Sequence, residues 1–435
     1  MFSGRKMTTL LVLIGVLGIP AIGLRFLCAG QSCEEEATAA AEVPFCSMEP
    51  DLRSRITAGF REGRSPEVLA VARADSIAGG TGFARTFPAP SWPSSGVGGA
   101  RVPIAFAGEG VVRATIPEST PVTDIAPTLA AIIDFERPFP EVRSGEPIDG
   151  VAGDRSPRLL LPDEWPFLRG LMDEGAATMN GDTGSMPLDP AAVISTVGTG
   201  GSPSQHGITG EFVRTAEGRL VRAFSHDADT PVIATLADDL DEELGQRPRI
   251  GLVGARATDR GAIGGKWYGS ASDVDEVVLA PTDQVGPAVA MLSGGSGDGG
   301  FGADRVPDLM SVVMEGDVPK LDRGLRRIAA AAEKASDGSV AFVVTATGSI
   351  PVDSGARGGE VVNGAEIARA IDEAVGEQVT EAAVPGGLFL DQGALAKLEL
   401  SEDLVIEELE RLRRPDGDLF ADVFPAIAVT FARYC

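Results

Sequence analysis

Apolar residues recur along this chain in two rhythms. Short runs rich in β-branched side chains, "SPEVLAVA" (65–72), "VPIAFAG" (102–108), "PRLLL" (157–161), "RPRIGLVG" (247–254) and "GSVAFVVTA" (338–346), are bounded by turn formers and predict buried strands. Between them, "TDIAPTLAAIID" (123–134), "WPFLRGLMDEGA" (165–176), "TPVIATLADDLDEEL" (230–244), "KLDRGLRRIAAAAEKA" (320–335) and "AEIARAIDEAVG" (365–376) carry apolar residues at helical spacing. Thr123, Thr230 and Asp337 are candidate caps near their ends. The alternation predicts an α/β fold, a mostly parallel sheet with helices on both faces. No period of about 20–50 residues recurs, which excludes a repeat architecture.

The N-terminus departs from both rhythms. Arg5 and Lys6 precede an uncharged run from Thr8 to Leu24, and Glu34, Glu35 and Glu36 follow. This is the layout of an export signal: the run is about as long as the shortest spanning helices, and a basic flank stays inside. Residues 1–32 are therefore expected to form a signal or single-pass membrane anchor, 33–50 a linker, and 51–435 one extracytoplasmic domain at the cell membrane; secretion after cleavage is the alternative. Arg25 and Leu27 stand where a lipidated Cys28 would need small residues, which argues against a lipoprotein.

Charge narrows the partners. Lys and Arg number 37 against 63 Asp and Glu in 435 residues, a net charge of -26 that repels nucleic acid and anionic lipid. The 55 glycines and 30 prolines are spread among enough apolar residues to build a core, so wholesale disorder is not expected. "SGGSGDGGFGAD" (293–304) has no apolar period and reads as a flexible surface loop, with calcium binding by Asp298 and Asp304 as the alternative.

"STVGTGGSPSQHGITG" (195–210) resembles the Thr-Gly-x-x-Pro-x-x-His-Gly-Ile stretch of the alkaline phosphatase superfamily, especially its phosphodiesterase and nucleotide pyrophosphatase branch. In that family the stretch follows the nucleophile and its histidine ligates no metal. The resemblance therefore implies a structural role for Thr199, Gly200, Pro203, His206 and Gly207. The residues themselves agree: small residues allow a tight turn there, and an imidazole can satisfy buried backbone groups.

Residues 102–148 resemble the closing stretch of the same superfamily, with Val-Pro, a strand, a Gly-x-Gly turn and a helix opened by "DIAPTL". "AGFREGRSPEVLAVA" resembles the segment before that close, and "PRLLLPDEWPFLRGLMDEGAAT" the opening strand and first helix. The family's order is thus exchanged, with 51–150 corresponding to its C-terminal segment and 155–434 to its N-terminal and central part. This implies a circularly permuted alkaline-phosphatase-like domain whose natural join falls between Arg433 and Leu52. The alternative is a truncated neighbour followed by a new domain. A permuted fold would bring Cys46 and Cys435 to one seam, and disulfides persist in the compartment an exported chain meets. The resemblance thus implies a Cys46–Cys435 bond; Cys33 with Cys46 is the competing pair, while Cys28 and Cys33 either pair locally or stay free.

The superfamily's two-metal chemistry takes several carboxylates and about three histidines, with a metal-bound Thr or Ser attacking phosphorus. This chain has two histidines, His206 and His226. In "VAFVVTATGSIPVDS" (340–354), Thr347, Gly348 and Ser349 stand where the family has Asp-His-Gly, and Trp92 stands at its late histidine. The nucleophile position falls on Pro190, with Asp189 and Ser185 nearest, and the aspartate ending the first strand is at best Asp163. Asp163, Ser185 and Asp189 are accordingly vestigial catalytic candidates. The expectation is a non-catalytic binding or scaffolding protein without cofactor or zinc, whose pocket lies at the carboxyl ends of the strands and whose ligand or protein partner stays open. The alternative is an active phosphoester hydrolase holding Mg²⁺ or Ca²⁺ on Asp163, Asp189, Asp317 and Asp353, since hard cations accept oxygen ligands. The plainer reading of these aspartates is caps and solvated loops. A Ser-His-Asp hydrolase would need His226 beside Ser185 and lacks a nucleophile elbow.

Overall fold

In a computed structural model of the chain, the described residues are 44–72, 77–79, 100–153, 167–225, 231–264, 276–294, 300–315, 318–347, 361–384, 386–414, 417–432 and 435. The Thr8–Leu24 run, Cys28, Cys33, Trp92, "PRLLL", Asp163, His226, Asp298, Asp317, Gly348, Ser349 and Asp353 lie outside them.

Helices α1 (Pro44–Ser47) and α2 (Pro50–Gly59) come first, and Glu49 caps α2 by accepting the Leu52 N–H at 3.1 Å. Strands β1 (Val68–Ala72), β2 (Ile77–Gly79), β3 (Arg101–Gly108) and β4 (Ala114–Thr115) precede helix α3 (Ile125–Ile132). Thr123 does not cap α3; it lies in a 3-10 turn, Val122–Asp124, that leads into the helix. Helix α4 (Phe167–Glu174) stops short of Ala176, and β5 (Ala176–Asp182) begins there. Between them Gly175 lies so close to Phe106 that a Cβ would come 1.9 Å from its carbonyl oxygen. Helices α5 (Pro190–Thr199) and α6 (Pro203–His206) and strands β6 (Phe212–Arg214) and β7 (Leu220–Arg222) follow.

Helix α7 (Leu236–Glu243) is capped by Thr235, since Thr235 and Asp238 form a capping box: the Asp238 N–H donates to Thr235 Oγ1 at 3.2 Å and the Thr235 N–H to Asp238 Oδ2 at 2.7 Å; the cap candidate Thr230 lies outside the described residues. Next come β8 (Ile250–Gly254), β9 (Glu276–Leu279), α8 (Val285–Ser293), β10 (Leu309–Val312), α9 (Val318–Ala335) and β11 (Ala341–Thr345). The chain continues through β12 (Val361–Asn363), α10 (Gly364–Val375), β13 (Thr380–Val384), β14 (Gly387–Leu390), α11 (Gln392–Leu398) and α12 (Glu402–Arg411). It closes with β15 (Arg413–Arg414), β16 (Gly417–Asp418), β17 (Phe420–Pro425) and α13 (Ile427–Thr430).

The fold is mixed α/β, but its strands form several sheets and not the one mostly parallel sheet expected. Sheet β10-β8-β9 is parallel, β13-β14-β1-β17 is antiparallel, and β11-β3-β5-β4 is parallel only between β5 and β4. The reason is local: β13 returns into β14 through a turn at Gly386, whose φ of 94° suits glycine, and so short a link leaves no room for a parallel crossover. "VPIAFAG" and "GSVAFVVTA" do share a sheet, as β3 and β11, whereas "SPEVLAVA" supplies β1 to another.

Residues 101–153 share their core with later segments of the chain. Val102, Phe106 and Ile125 share a buried cluster with Ala176 and Val193, and Val343 of β11 packs against it. The two ends of the described chain also meet: Phe45 of α1 packs against Phe424 of β17 with ring centres 5.2 Å apart and planes tilted by 47°, amid Ile56, Leu69, Met186 and Val429. Cys46 and Cys435 form a disulfide there, with Cα atoms 5.1 Å apart. The expected linker 33–50 therefore gives way to folded structure at Pro44, because Phe45 is fully buried. All described residues belong to the compact unit Val43–Cys435. Among them, no helix is long and apolar enough to cross a membrane.

Candidate functional site

Two of the vestigial candidates, Ser185 and Asp189, lie on the approach to the N-terminus of α5, and the resembling turn follows its C-terminus. Strand β5 delivers Asp182, which takes a bidentate grip from Arg55 of α2: Nη1 to Oδ1 at 2.5 Å and Nη2 to Oδ2 at 2.6 Å. Both residues are buried, and the Gly184 N–H adds a bond to Oδ1 at 2.8 Å. Donating to the Asp182 carboxylate raises the pKa of Arg55. Burial works against the Asp182 charge, yet the Arg55 and Gly184 bonds outweigh it and hold that carboxyl below its usual range.

From Asp182 the chain crosses α2. The Met186 N–H donates to the Arg55 carbonyl at 3.0 Å, and a Cβ on Gly59 would come 1.8 Å from the Met186 carbonyl oxygen. Only glycine permits that approach. Ser185 lies on this crossing, 1% exposed; its hydroxyl and those of Thr183 and Thr209 find no hydrogen-bond partner among the described residues.

Asp189 is the N-cap of α5, with Pro190 opening the helix. Its Oδ1 accepts the Ala191 N–H at 2.8 Å and its Oδ2 the Glu211 N–H at 3.0 Å. It is 4% exposed, and burial pushes its pKa up although backbone N–H groups favour the charge. Glu211 sits beside it. Burial pushes Glu211 up to about 7; the Arg222 guanidinium at 3.0 Å, itself 40% exposed and screened by water, opposes this, and Asp189 adds to it. The charge of Arg256 also reaches both acids.

At the far end of α5 the chain turns through Gly200, left-handed at φ 76°, into α6, where Pro203 is first and Ser202 and Gln205 form a capping box. Thr199 Oγ1 donates to the Ser195 carbonyl at 2.7 Å and accepts the Gly201 N–H at 3.1 Å. His206 is fully buried. Its Nδ1 accepts the Ile208 N–H at 3.1 Å, so Nε2 carries the proton, which it donates to Thr196 Oγ1 at 3.0 Å while that hydroxyl donates to the Ala192 carbonyl. Burial, then Arg61 and Arg64, lower its pKa to about 3. Arg61 donates to the carbonyls of Ser204 and Gln205, and the turn continues through Gly207 at φ 80°. The loop after α3 straps the turn from outside: Arg137 donates to the Thr199 carbonyl and Gly145 to that of Gly200, both at 2.9 Å.

The structure thus brings Ser185, Asp189 and the Thr199–Gly207 turn together around α5. Thr347, beyond β11, is described, but Gly348 and Ser349 are not. Asp304 accepts the Val306 N–H within its own loop at 2.8 Å. The carboxylates at this site do not suit a resident cation: Arg55 already supplies positive charge at Asp182, and backbone N–H groups hold both oxygens of Asp189. Among the described residues, no group of three His, Cys, Asp or Glu side chains is placed to hold a metal ion. Sequence reasoning missed Arg55 and Glu211. A lone acid in the apolar stretch "GITGEFV" was the available signal for Glu211, and nothing near Arg55 announces a partner 127 residues away. Comparison of the chain with family models, curated proteins and solved structures finds no match.

Proposed function

We propose that the chain is an extracytoplasmic, membrane-anchored binding or scaffolding protein, built on a circularly permuted alkaline-phosphatase-like fold whose hydrolytic site its own side chains have filled. The observation that carries this reading is the buried Asp189 carboxylate, which caps the start of α5 through the Ala191 N–H and also takes the Glu211 N–H, where the resemblance implies a nucleophile. An open helix N-terminus attracts anions; this one already holds one, so an entering phosphate would meet negative charge at close range. The meeting of α1, α2 and α13 at the Cys46–Cys435 bond supports a permuted join, and the bond itself is of the kind that lasts outside the cytoplasm.

Hydrolysis tests the reading directly. Full-length protein given p-nitrophenyl phosphate or bis-p-nitrophenyl phosphate, with Mg²⁺, Ca²⁺ or Zn²⁺ added, should show no turnover above buffer. Turnover that Asp189→Ala removes would end the proposal. For the permutation, a gene that begins at Pro157 and joins Cys435 to Pro44 by a short linker, keeping Phe45 and both cysteines, should give a protein with one cooperative unfolding transition and an unchanged near-UV spectrum. An unfolded product would count against it.

One observation favours a second reading. Glu211, pushed to about 7 beside the end of α5, has the property required of a general acid or base near neutral pH. On that reading the chain is a phosphoester hydrolase whose candidates for Mg²⁺ or Ca²⁺ are Asp163, Asp189, Asp317 and Asp353, of which Asp189 is already engaged by N–H groups, and Glu211→Gln would abolish its turnover.

A further inference from the structure

The antiparallel sheet β13-β14-β1-β17 has two unlike edges. Helix α1 lies against β17, with Phe45 packed against Phe424. Among the described residues, β13 pairs with β14 alone, and it borders a groove of about 910 Å³ whose other wall is α10. An unpaired edge presents a row of backbone N–H and C=O groups that another extended chain can complete, and proteins commonly blunt such edges with lysine, proline or a bulge. The β13 sequence, TEAAV, contains neither lysine nor proline. Its bulge falls between Thr380 and Ala382, which leaves Ala382–Val384 in regular register with β14.

The groove has features that suit a peptide strand. Gly364, Ala365 and Ala368 keep the α10 wall low, so a second backbone has room to approach. At the start of β13 the N–H groups of Val379 and Thr380 already donate to Asp372 Oδ1, each at 2.9 Å, so the stretch left for an added strand is Ala382–Val384. Four carboxylates border the groove, those of Asp372, Glu373, Glu377 and Glu381. Arg369 faces Glu373 at 3.8 Å and Arg214 faces Glu381 at 2.7 Å, which leaves the rim net negative on a chain of charge -26.

We infer that this groove binds an extended, basic segment of a partner protein as an added strand on β13. Backbone pairing supplies the affinity, and the acidic rim selects for lysine and arginine. A second copy of this chain would set one acidic rim against another, so self-pairing is disfavoured. The inference rests on the binding reading above but separates from it in test: phosphoester turnover would end that reading and leave the groove standing, whereas a failed peptide test would end the groove alone.

The probe is a fluorescein-labelled peptide of alternating lysine and valine, titrated into full-length protein and followed by anisotropy. It should bind, with affinity falling as salt rises, while the matched glutamate–valine peptide should not. Glu373 and Glu377 are exposed, so Glu373→Lys/Glu377→Lys should leave the fold intact and weaken binding about tenfold, since each reversed surface charge is worth up to about 1 kcal/mol. Ala365→Trp, at an exposed position of the α10 wall, should block the groove sterically. Methylating alternate backbone amides of the peptide should abolish binding, and hydrogen exchange should slow, when the parent peptide is added, at those amides of Ala382–Val384 that face away from β14. No binding by the lysine–valine peptide, equal binding of the methylated peptide, or indifference to both sets of variants would overturn the inference. So would protection of these amides in the peptide-free protein, whether constant or rising with protein concentration, because the edge would then be covered by the chain itself or by a second copy.

Discussion

Replacing Cys435 by serine is a sharp test of how the two ends of this fold are held. Cys435 is exposed, so the new hydroxyl stays in water, no cavity opens, and the change isolates the bond to Cys46. That bond spans 389 residues of sequence. The chain-entropy relation gives about 6 kcal/mol for so long a loop, and residual order in the unfolded chain brings the expectation to about 3–5 kcal/mol. With an unfolding entropy of about 2 cal/mol/K per residue, a unit of this length should lose about 4–6 °C of melting temperature. Scanning calorimetry reads the shift, and a reductant should reproduce it in the wild type while leaving Cys435→Ser unchanged. The reasoning fails if the variant melts with the wild type, or if Cys435 alkylates freely in unreduced, folded protein.

Arg55→Ala should destabilise by about 3–5 kcal/mol in urea unfolding, because it leaves the buried Asp182 carboxylate unpaired, and Arg55→Ala/Asp182→Ala should recover part of that loss. Glu211, raised from 4.5 to about 7, keeps its proton in the native state where the unfolded chain has released it, so its contribution to stability falls as pH rises through that window. Glu211→Gln should therefore gain about 1–3 kcal/mol above neutral pH and nothing below about pH 4.5, and an equal gain at both ends would contradict the burial argument. His206, lowered from 6.5 to about 3, stays neutral in the folded protein while the unfolded chain takes up protons, so stability should drop by up to about 1.4 kcal/mol per pH unit as pH falls through that range. Its ring resonances should report an Nε2–H tautomer that does not titrate down to about pH 4.

Periodicity located much of the secondary structure but not its pairing. The runs at 102–108 and 338–346 became β3 and β11, and those at 320–335 and 365–376 became α9 and α10. Alternation of strand and helix suggested crossovers, yet a pattern along the chain does not state which strand lies beside which. The turn at Gly386 and the placement of β3 between β11 and β5 decide that. Strand β5 was unreadable because "MNGD" has little β propensity and Met179 is 60% exposed; pairing with β3 and β4 holds it. At the site, Leu188-Asp189-Pro190 is a legible helix start, and the resemblance directed attention to a lost nucleophile when the local chemistry was that of a cap. Arg55 was beyond reach, since a buried ion pair leaves no mark in sequence spacing.

Helix α2 links the seam to the site. It follows Cys46 closely and gives Arg55 to Asp182, its Gly59 admits the Met186 carbonyl, and just beyond its end Arg61 holds the carbonyls that close α6 next to His206. The 183–188 crossing therefore depends on how firmly α2 is seated, and α2 shares its apolar cluster with α1, β17 and α13 at the disulfide. Loosening the seam should be felt at the crossing before it is felt at β13, whose own cluster is built from α10, α12 and the opposite face of the sheet. In Cys435→Ser, hydrogen exchange under native conditions should accelerate at Gly184 and Met186, whose N–H groups bond Asp182 and the Arg55 carbonyl, with little change at Ala383. Uniform acceleration across both regions would mean that the disulfide acts only on global stability, and the proposed route through α2 would have to be given up.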